Sequence, residues 1–394
     1  MAALDGMRVL DMTQYEAGTS CTQLLAWLGA DVVKVEAPGR GDPGRGVAPT
    51  GPTSQYFLNY NSNKRSVCID LANPEGRQIL LDLVPQFDVF VENYGPGVIE
   101  KLDLGYDVMS EVNPSLIYGR IKGFGLDGPY SQYKCYDWVA QAAAGAFSMN
   151  GFADGPPVAP APTIGDSGTG MQMALAITAA YVQKQRTGEG QMIELSMQEA
   201  STMFMRTQGL REWGESEPER TGSRKGMPTD VYPCKGGGPN DYVFIMVVTT
   251  RMWDTLCAAL DRPDLLADER FATGMKRQEH ADELWEEIAA WTRQYDKYEA
   301  MRHLAGAGVP CSAVISMLDL FHDPHLKQRG LIQQVEHPVD GERLLLGNPI
   351  RMSKSQVPLK AAPLLGDNTD TVLACDLRLS DEQIAALREK GIVG

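Results

Sequence analysis

Residues 7–36, MRVLDMTQYEAGTSCTQLLAWLGADVVKVE, decide how the chain is built. MRVLDM (7–12) is a short apolar run that reads as a strand, CTQLLAWLG (21–29) reads as a helix, and DVVKVE (31–36) is a second strand. The alternation continues downstream. VCIDL (67–71) leads into a proline-started helix, PEGRQILLDLVPQ (74–86), and then the strand DVFVEN (88–93). A helical stretch, GVIEKLDLGYDVMSEV (97–112), precedes LIYGRIKGF (116–124). Strands alternating with helices predict a parallel α/β sheet.

With 394 residues, the chain can form two domains or one domain with a large insertion. The expected division is an α/β part over 1–205, a polar linker over 206–230, a smaller α+β domain over 231–320, and a return through 321–394 into the first domain. The linker reading rests on RTQGLREWGESEPERTGSRKGMPTD, which is charged and weakly periodic. In the smaller domain YVFIMVV (242–248) reads as a strand, and 252–261, 281–294 and 297–308 read as helices. The stretch from HDPHLKQRG (322–330) to LLLGNPIRMS (344–353) reads as extended, and Ser380 announces a last helix with Glu382 and Gln383 in its first turn.

The formal net charge of −15, with no basic block, argues against nucleic acid or anionic membrane as a partner. The amino-terminal residues lack the apolar core of a signal peptide, and seven dispersed cysteines without a CxxC pair fit reduced thiols, so the expected location is cytoplasmic. PGRGDPG (38–44) spells GxGxxG after a strand, but Pro43 interrupts it and no acid lies between Asp42 and Asp70, so a nicotinamide-binding turn is rejected. Arg40 and Arg45 in that loop are free to meet phosphate on this reading. His322 and His325 flank a proline turn without further ligands, so no metal is expected. GEGQ (188–191) is read as a tight turn.

The first 279 residues contain no histidine, and no GxSxG elbow occurs. A serine or cysteine nucleophile there would lack an imidazole base. In APTIGDSGTG (161–170), Asp166 precedes the helix-forming run MQMALAITAAYV (171–182) and would serve ordinarily as a helix cap. A carboxylate is also a nucleophile that needs no general base, which suits acyl capture from a thioester.

Motifs along nearly the whole chain resemble the class III CoA-transferase family, with formyl-CoA transferase-like members closest. They include LDGMRVLDMT (4–13), YFLNYNSNKRSVCIDLANPEG (56–76), DVFVENYGPGVIEKLDLGYD (88–107), GFGLDGPYSQYKCYDWVAQA (123–142), IGDSGTGMQMALA (164–176), RTGEGQMIELSMQEA (186–200) and APLLGDNTD (362–370). The resemblance implies a large doubly wound Rossmann-like domain built from both chain ends, a smaller α+β domain, and an interlocked homodimer, or a heterodimer with a paralogous chain. It implies Asp166 as the catalytic nucleophile, passing through aspartyl anhydride and aspartyl-CoA thioester intermediates. Coenzyme A contacts carry over to Ile69, Leu71, Ala72, Asn93, Tyr94, Lys101, Lys134, Tyr136 and Asp137, with Arg40, Lys64 and Arg65 as further cations. Gln14, Glu16 and Ala17 would contact the acyl substrate. Acyl-CoA and a small carboxylic acid are the implied substrates, with no metal and no permanently bound cofactor.

Two departures qualify the likeness, and one feature removes a rival. Glu16 stands where formyl-CoA transferase has glutamine, and a carboxylate there opposes an oxalate-like acceptor. The tetraglycine loop is missing from TGSRKGMPTD (221–230), where Arg224 and Lys225 point instead toward a dicarboxylic partner such as succinate, with succinyl-CoA as the donor. Tyr136 occupies the place of the histidine base of α-methylacyl-CoA racemases, which removes the base that rival reading requires. A non-catalytic CoA-binding subunit is the rival outside enzymology.

Overall fold

The computed structural model describes residues 1–49 and 53–394. The amino-terminal alternation becomes strands β1 (Arg8–Met12), β2 (Asp31–Glu36), β3 (Arg65–Cys68), β4 (Val89–Glu92), β5 (Ile117–Lys122) and β6 (Gln191–Ser196). All adjacent pairs are parallel, in the order β3-β2-β1-β4-β5-β6. The chain therefore reverses its direction of travel across the sheet between β1 and β4. In such sheets ligands bind beyond the carboxyl ends of the strands at that switch point.

The helices are α1 (Ala17–Trp27), α2 (Gln55–Asn61), α3 (Pro74–Leu83), α4 (Val98–Lys101), α5 (Tyr106–Val112), α6 (Asp137–Ala143), α7 (Thr169–Thr187) and α8 (Met197–Thr202). Because successive side chains alternate faces, each strand supplies both layers. Leu10, Val33, Val67, Phe90 and Tyr118 pack with Leu80 and Leu83 of α3 on one face. Val9, Val32, Val89 and Ile117 pack with Leu25 of α1 and with Met173 and Ile177 of α7 on the other.

Two compact units divide the chain: residues 1–149, 159–217 and 328–394 form the first, and 150–158 with 218–327 form the second. In the first unit, carboxyl-terminal helices Thr369–Leu377 and Asp381–Glu389 return Val372, Leu373 and Ile384 to the α3 face. Ser380 and Gln383 close a capping box on the last helix. The second unit holds a three-stranded antiparallel sheet, β7 (Asp230–Pro233), β8 (Tyr242–Ile245) and β9 (Cys311–Ala313), around Tyr232, Trp253, Phe271 and Ile288.

The segment expected to be wholly extended is partly helical. Pro324 opens a short helix, Pro324–Gln328, at the first-turn position proline favours, and the extended part forms an antiparallel hairpin of Ile332–His337 with Gly341–Leu346. Gly188 ends α7 in a left-handed turn. No described helix is long and apolar enough to cross a membrane.

Close packing of α1 on α7 carries the site. A Cβ at Gly170 would lie 2.6 Å from the Ala17 carbonyl oxygen and 2.9 Å from the Cys21 nitrogen, so backbone would have to move. Gly170→Ala should lower stability by about 1–3 kcal/mol, read as a lower denaturant midpoint with unchanged slope.

Candidate active site

At the switch point the chain leaves β1 through Thr13, Gln14, Tyr15 and Glu16 before entering α1. Tyr15 adopts φ +58°, a left-handed conformation that costs a bulky residue about 1–2 kcal/mol. Residues Gln14, Tyr15, Glu16, Ala17, Asn93, Tyr94, Lys134, Tyr136 and Asp166 line a cavity of about 300 Å³. A second cavity of about 140 Å³ is lined by Arg40, Asp42, Ile69, Leu71 and Ala72, and shares Gln14 and Tyr94 with the first. The Gln14 amide donates to the Tyr94 hydroxyl at 3.1 Å, so these two side chains form the common wall.

Asp166 lies inside a π-helical turn, Ile164–Gly168, immediately before α7. Such turns are rare, and they bring a backbone segment out of helical register, often at functional sites. The cap reading does not describe this geometry: Asp166 is within the turn, and its carboxylate accepts no hydrogen bond from a described residue. Its backbone N–H donates to Asp137 Oδ1 at 3.0 Å, while Asp137 Oδ2 accepts from Gln141 at 2.7 Å. The Ser167 N–H is taken by the Thr163 carbonyl at 2.8 Å. Neither of these two amides is therefore free for an oxyanion.

Burial, then Glu16, then Asp137 push the Asp166 carboxyl up to about 8. Glu16 is 4% exposed, and its Oε1 accepts from the Ser167 hydroxyl at 2.7 Å. No described lysine, arginine or histidine forms an ion pair with it. Two carboxylates from distant parts of the sequence, Glu16 and Asp166, thus line the larger cavity, with Asp137 behind Asp166.

Several expected ligand cations are committed elsewhere. Lys64 is buried against Asp11 at 3.0 Å. Arg65 pairs with Asp31 at the opposite, amino-terminal end of its strand. Arg45 is bidentate to Glu36 at 2.8 Å and its guanidinium lies 3.7 Å from the centre of the Phe57 ring. Arg224, within the second unit, is held by Asp230 and Asp282 at 3.1 and 2.9 Å, so its charge is already matched. Arg40 and Lys134 are exposed at the cavity walls. Lys101 is exposed at the end of α4 but lines neither cavity, and Asp137 sits behind Asp166 rather than in the wall.

Tyr15, Lys122 and Cys135 line the larger cavity without having been read from the sequence. Tyr15, between Gln14 and Glu16, and Cys135, between Lys134 and Tyr136, each had a signal in their sequence neighbours, whereas Lys122 had none. No described cluster of histidine, cysteine and acidic residues could hold a metal ion.

Residues 4–369 match the family description "CoA-transferase family III". The chain is 39% identical to formyl-CoA:oxalate CoA-transferase of Rhodopseudomonas palustris strain BisA53, covering 99% of this chain and 97% of that one. It is 38% identical to the Streptomyces coelicolor enzyme of the same name, covering 99% of each. Among solved structures, a CaiB/BaiF family protein from Brucella suis superposes with TM-score 0.84 at 30% identity, over 95% of this chain and 99% of that one. Rv3272 from M. tuberculosis superposes at 0.81 with 28% identity, over 94% and 98%. With a switch-point cavity and a family match across nearly its whole length, the chain belongs to CoA-transferase family III and is an enzyme of that family.

Proposed function

We propose that the enzyme moves coenzyme A from an acyl-CoA donor to an acceptor carboxylate through covalent intermediates on Asp166. The observation that carries this reading is the unpartnered Asp166 carboxylate, fixed by its own backbone bond to Asp137 and open to the larger cavity. Its oxygen attacks the thioester carbonyl, the C–S bond breaks, and an aspartyl-acyl anhydride and CoA thiolate result. The thiolate then attacks the aspartyl carbonyl, which frees the donor acid and leaves an aspartyl-CoA thioester. An acceptor carboxylate reverses the sequence. Every step exchanges one activated acyl group for another, so the protein's task is to align the groups and keep water out.

The two joined cavities suit a ligand with an adenosine end and a reactive end. Ile69, Leu71 and Ala72 offer an apolar surface for the adenine, with Arg40 near its phosphates, and Lys134 and Tyr136 flank the path to Asp166. Glu16 governs the acyl side. Its buried, cation-free carboxylate opposes a second negative charge close to the reacting carbonyl, as oxalate would bring. Succinyl-CoA carries its second carboxylate farther away and is the first donor to test. The assembly proposed is an interlocked homodimer, with a paralogous partner chain as the alternative, and native mass spectrometry distinguishes them.

Incubation with succinyl-CoA should add the mass of CoA less water to the intact chain. Hydroxylamine should then convert Asp166 to a hydroxamate, and Asp166→Ala should give neither product. A chain that binds CoA yet forms no adduct with succinyl-, formyl- or oxalyl-CoA would support a binding subunit instead. The ionised carboxylate is the nucleophile, and Asp166 is protonated below its raised pKa. Single-turnover acylation should therefore rise with pH, levelling off above about 8. Glu16→Gln removes a neighbouring negative charge and should move that inflection to lower pH. A flat profile in the wild-type enzyme would remove Asp166 ionisation from the rate-limiting step.

A further inference from the structure

The glycine-rich stretch PGRGDPG is not a dinucleotide turn, yet it is folded onto the active site with care. Gly41 takes φ +67°, and a Cβ there would meet Glu36 Oε1 at 2.9 Å and the Arg45 side chain at 2.8 Å. This turn sends Asp42 inward, where it is 2% exposed. Asp42 Oδ2 pairs with Lys34 Nζ at 2.8 Å, and the Lys34 side chain is wholly buried. Asp42 Oδ1 accepts from Gly44 N–H at 2.8 Å and from Tyr15 N–H at 3.1 Å. Lys34 Nζ also donates to the Thr13 carbonyl at 2.7 Å. Between these two, the Gln14 main chain exchanges hydrogen bonds with the Asn93 side chain, at 2.8 and 2.9 Å.

Three consecutive residues, Thr13 to Tyr15, are therefore each gripped through the main chain by a side chain from another segment. The next residue is Glu16, whose carboxylate reaches the serine beside Asp166. The left-handed Tyr15 would relax without such restraint. We propose that Asp42 and Lys34 are positioning residues, a buried ion pair that holds residues 13–16 so that Glu16 and Tyr15 stand at fixed places beside the nucleophile. The proposal rests on the transferase reading of the cavity. It gives the glycine-rich loop a task distinct from phosphate binding.

The clamp acts through the surroundings of Asp166. The titratable groups that bear on it are Glu16 from the clamped loop, Asp137 from α6, and, through their own shifts, Tyr56 from α2 and Cys135. Of these, only Glu16 lies on the clamped loop. Asp42 also raises the Tyr56 hydroxyl directly, so of the two carboxyls that act on Asp166 it is Glu16, and not Asp137, that a released loop displaces.

The test uses the full chain and succinyl-CoA, with single-turnover acylation followed by intact mass across the pH range. Asp42→Ala should slow acylation by about 10²-fold, the cost expected of a displacement near 1 Å. It should also shift the pH inflection downward and raise amide exchange in the peptide covering residues 13–20. Asp42→Asn keeps an oxygen for the Tyr15 N–H and should recover much of the rate, and it carries the test if Asp42→Ala does not fold. A folded Asp42→Ala with wild-type rate, inflection and exchange overturns the clamp. A folded Asp42→Asn as slow as Asp42→Ala, with unaltered exchange at residues 13–20, overturns it too. If the wild-type chain forms no adduct, the transferase reading fails, and the exchange measurement alone still decides whether Asp42 restrains the loop.

Discussion

Two ammonium groups, those of Lys34 on β2 and Lys64 just before β3, lie wholly inside the first unit beside Asp42 and Asp11. Charges in such a place persist only when opposite charges and hydrogen bonds surround them. Asp11 on β1 meets Lys64 while accepting from Thr13 and Thr22, and Asp42 meets Lys34. Burial alone would raise the Asp11 carboxyl; Lys64 and Lys34 override it and hold Asp11 below the usual carboxylate range. Losing one partner of such a pair costs about 3–5 kcal/mol, because the other charge stays stranded. Apolar faces can tolerate a shifted strand better than this network can, since a one-residue slip of β1 or β2 would carry Asp11 or Lys34 to the wrong side of the sheet. The site is built on that foundation, a few residues beyond it.

Directly above it the electrostatics reverse. Beneath the site Asp11, Glu36, Asp42 and Glu92 each have a cation; Asp166, Glu16 and Asp137 form no ion pair with a described residue. The arrangement is unfavourable for folding and apt for chemistry. A carboxylate whose proton is held more tightly is a stronger nucleophile once ionised, though a smaller fraction is ionised at neutral pH. The hydrogen bond from Asp166 N–H to Asp137 keeps the main chain in place while leaving the side chain unengaged.

The fold was legible because its signals are local. Strands such as MRVLDM and DVVKVE, with helices of the right length between them, identify a parallel sheet without knowledge of distant contacts. The last helix was legible from Ser380 and Gln383, whose capping box needs only neighbours. The HDPHLKQRG segment departs from an extended reading because Pro324 serves both turns and helix starts, and Asp323, which accepts from the Leu326 N–H at 2.8 Å, caps a helix there. Within the site, Arg45, Lys64 and Arg65 resembled ligand cations, but Glu36, Asp11 and Asp31 claim them through contacts that residue type cannot reveal. The carboxylate cluster was equally hidden, since Glu16 and Asp166 lie far apart in the chain. The resemblance to a family, rather than composition or spacing, singled out Asp166.

The shared wall of Gln14 and Tyr94 has a further consequence. Under the proposed reading, one chamber grips the nucleotide end that every acyl-CoA possesses, and the other meets the acyl group that differs among them. Substitutions at the acyl end, Glu16 among them, can then change what is carried without rebuilding how it is held. A scaffold divided in this way is free to diversify one residue at a time.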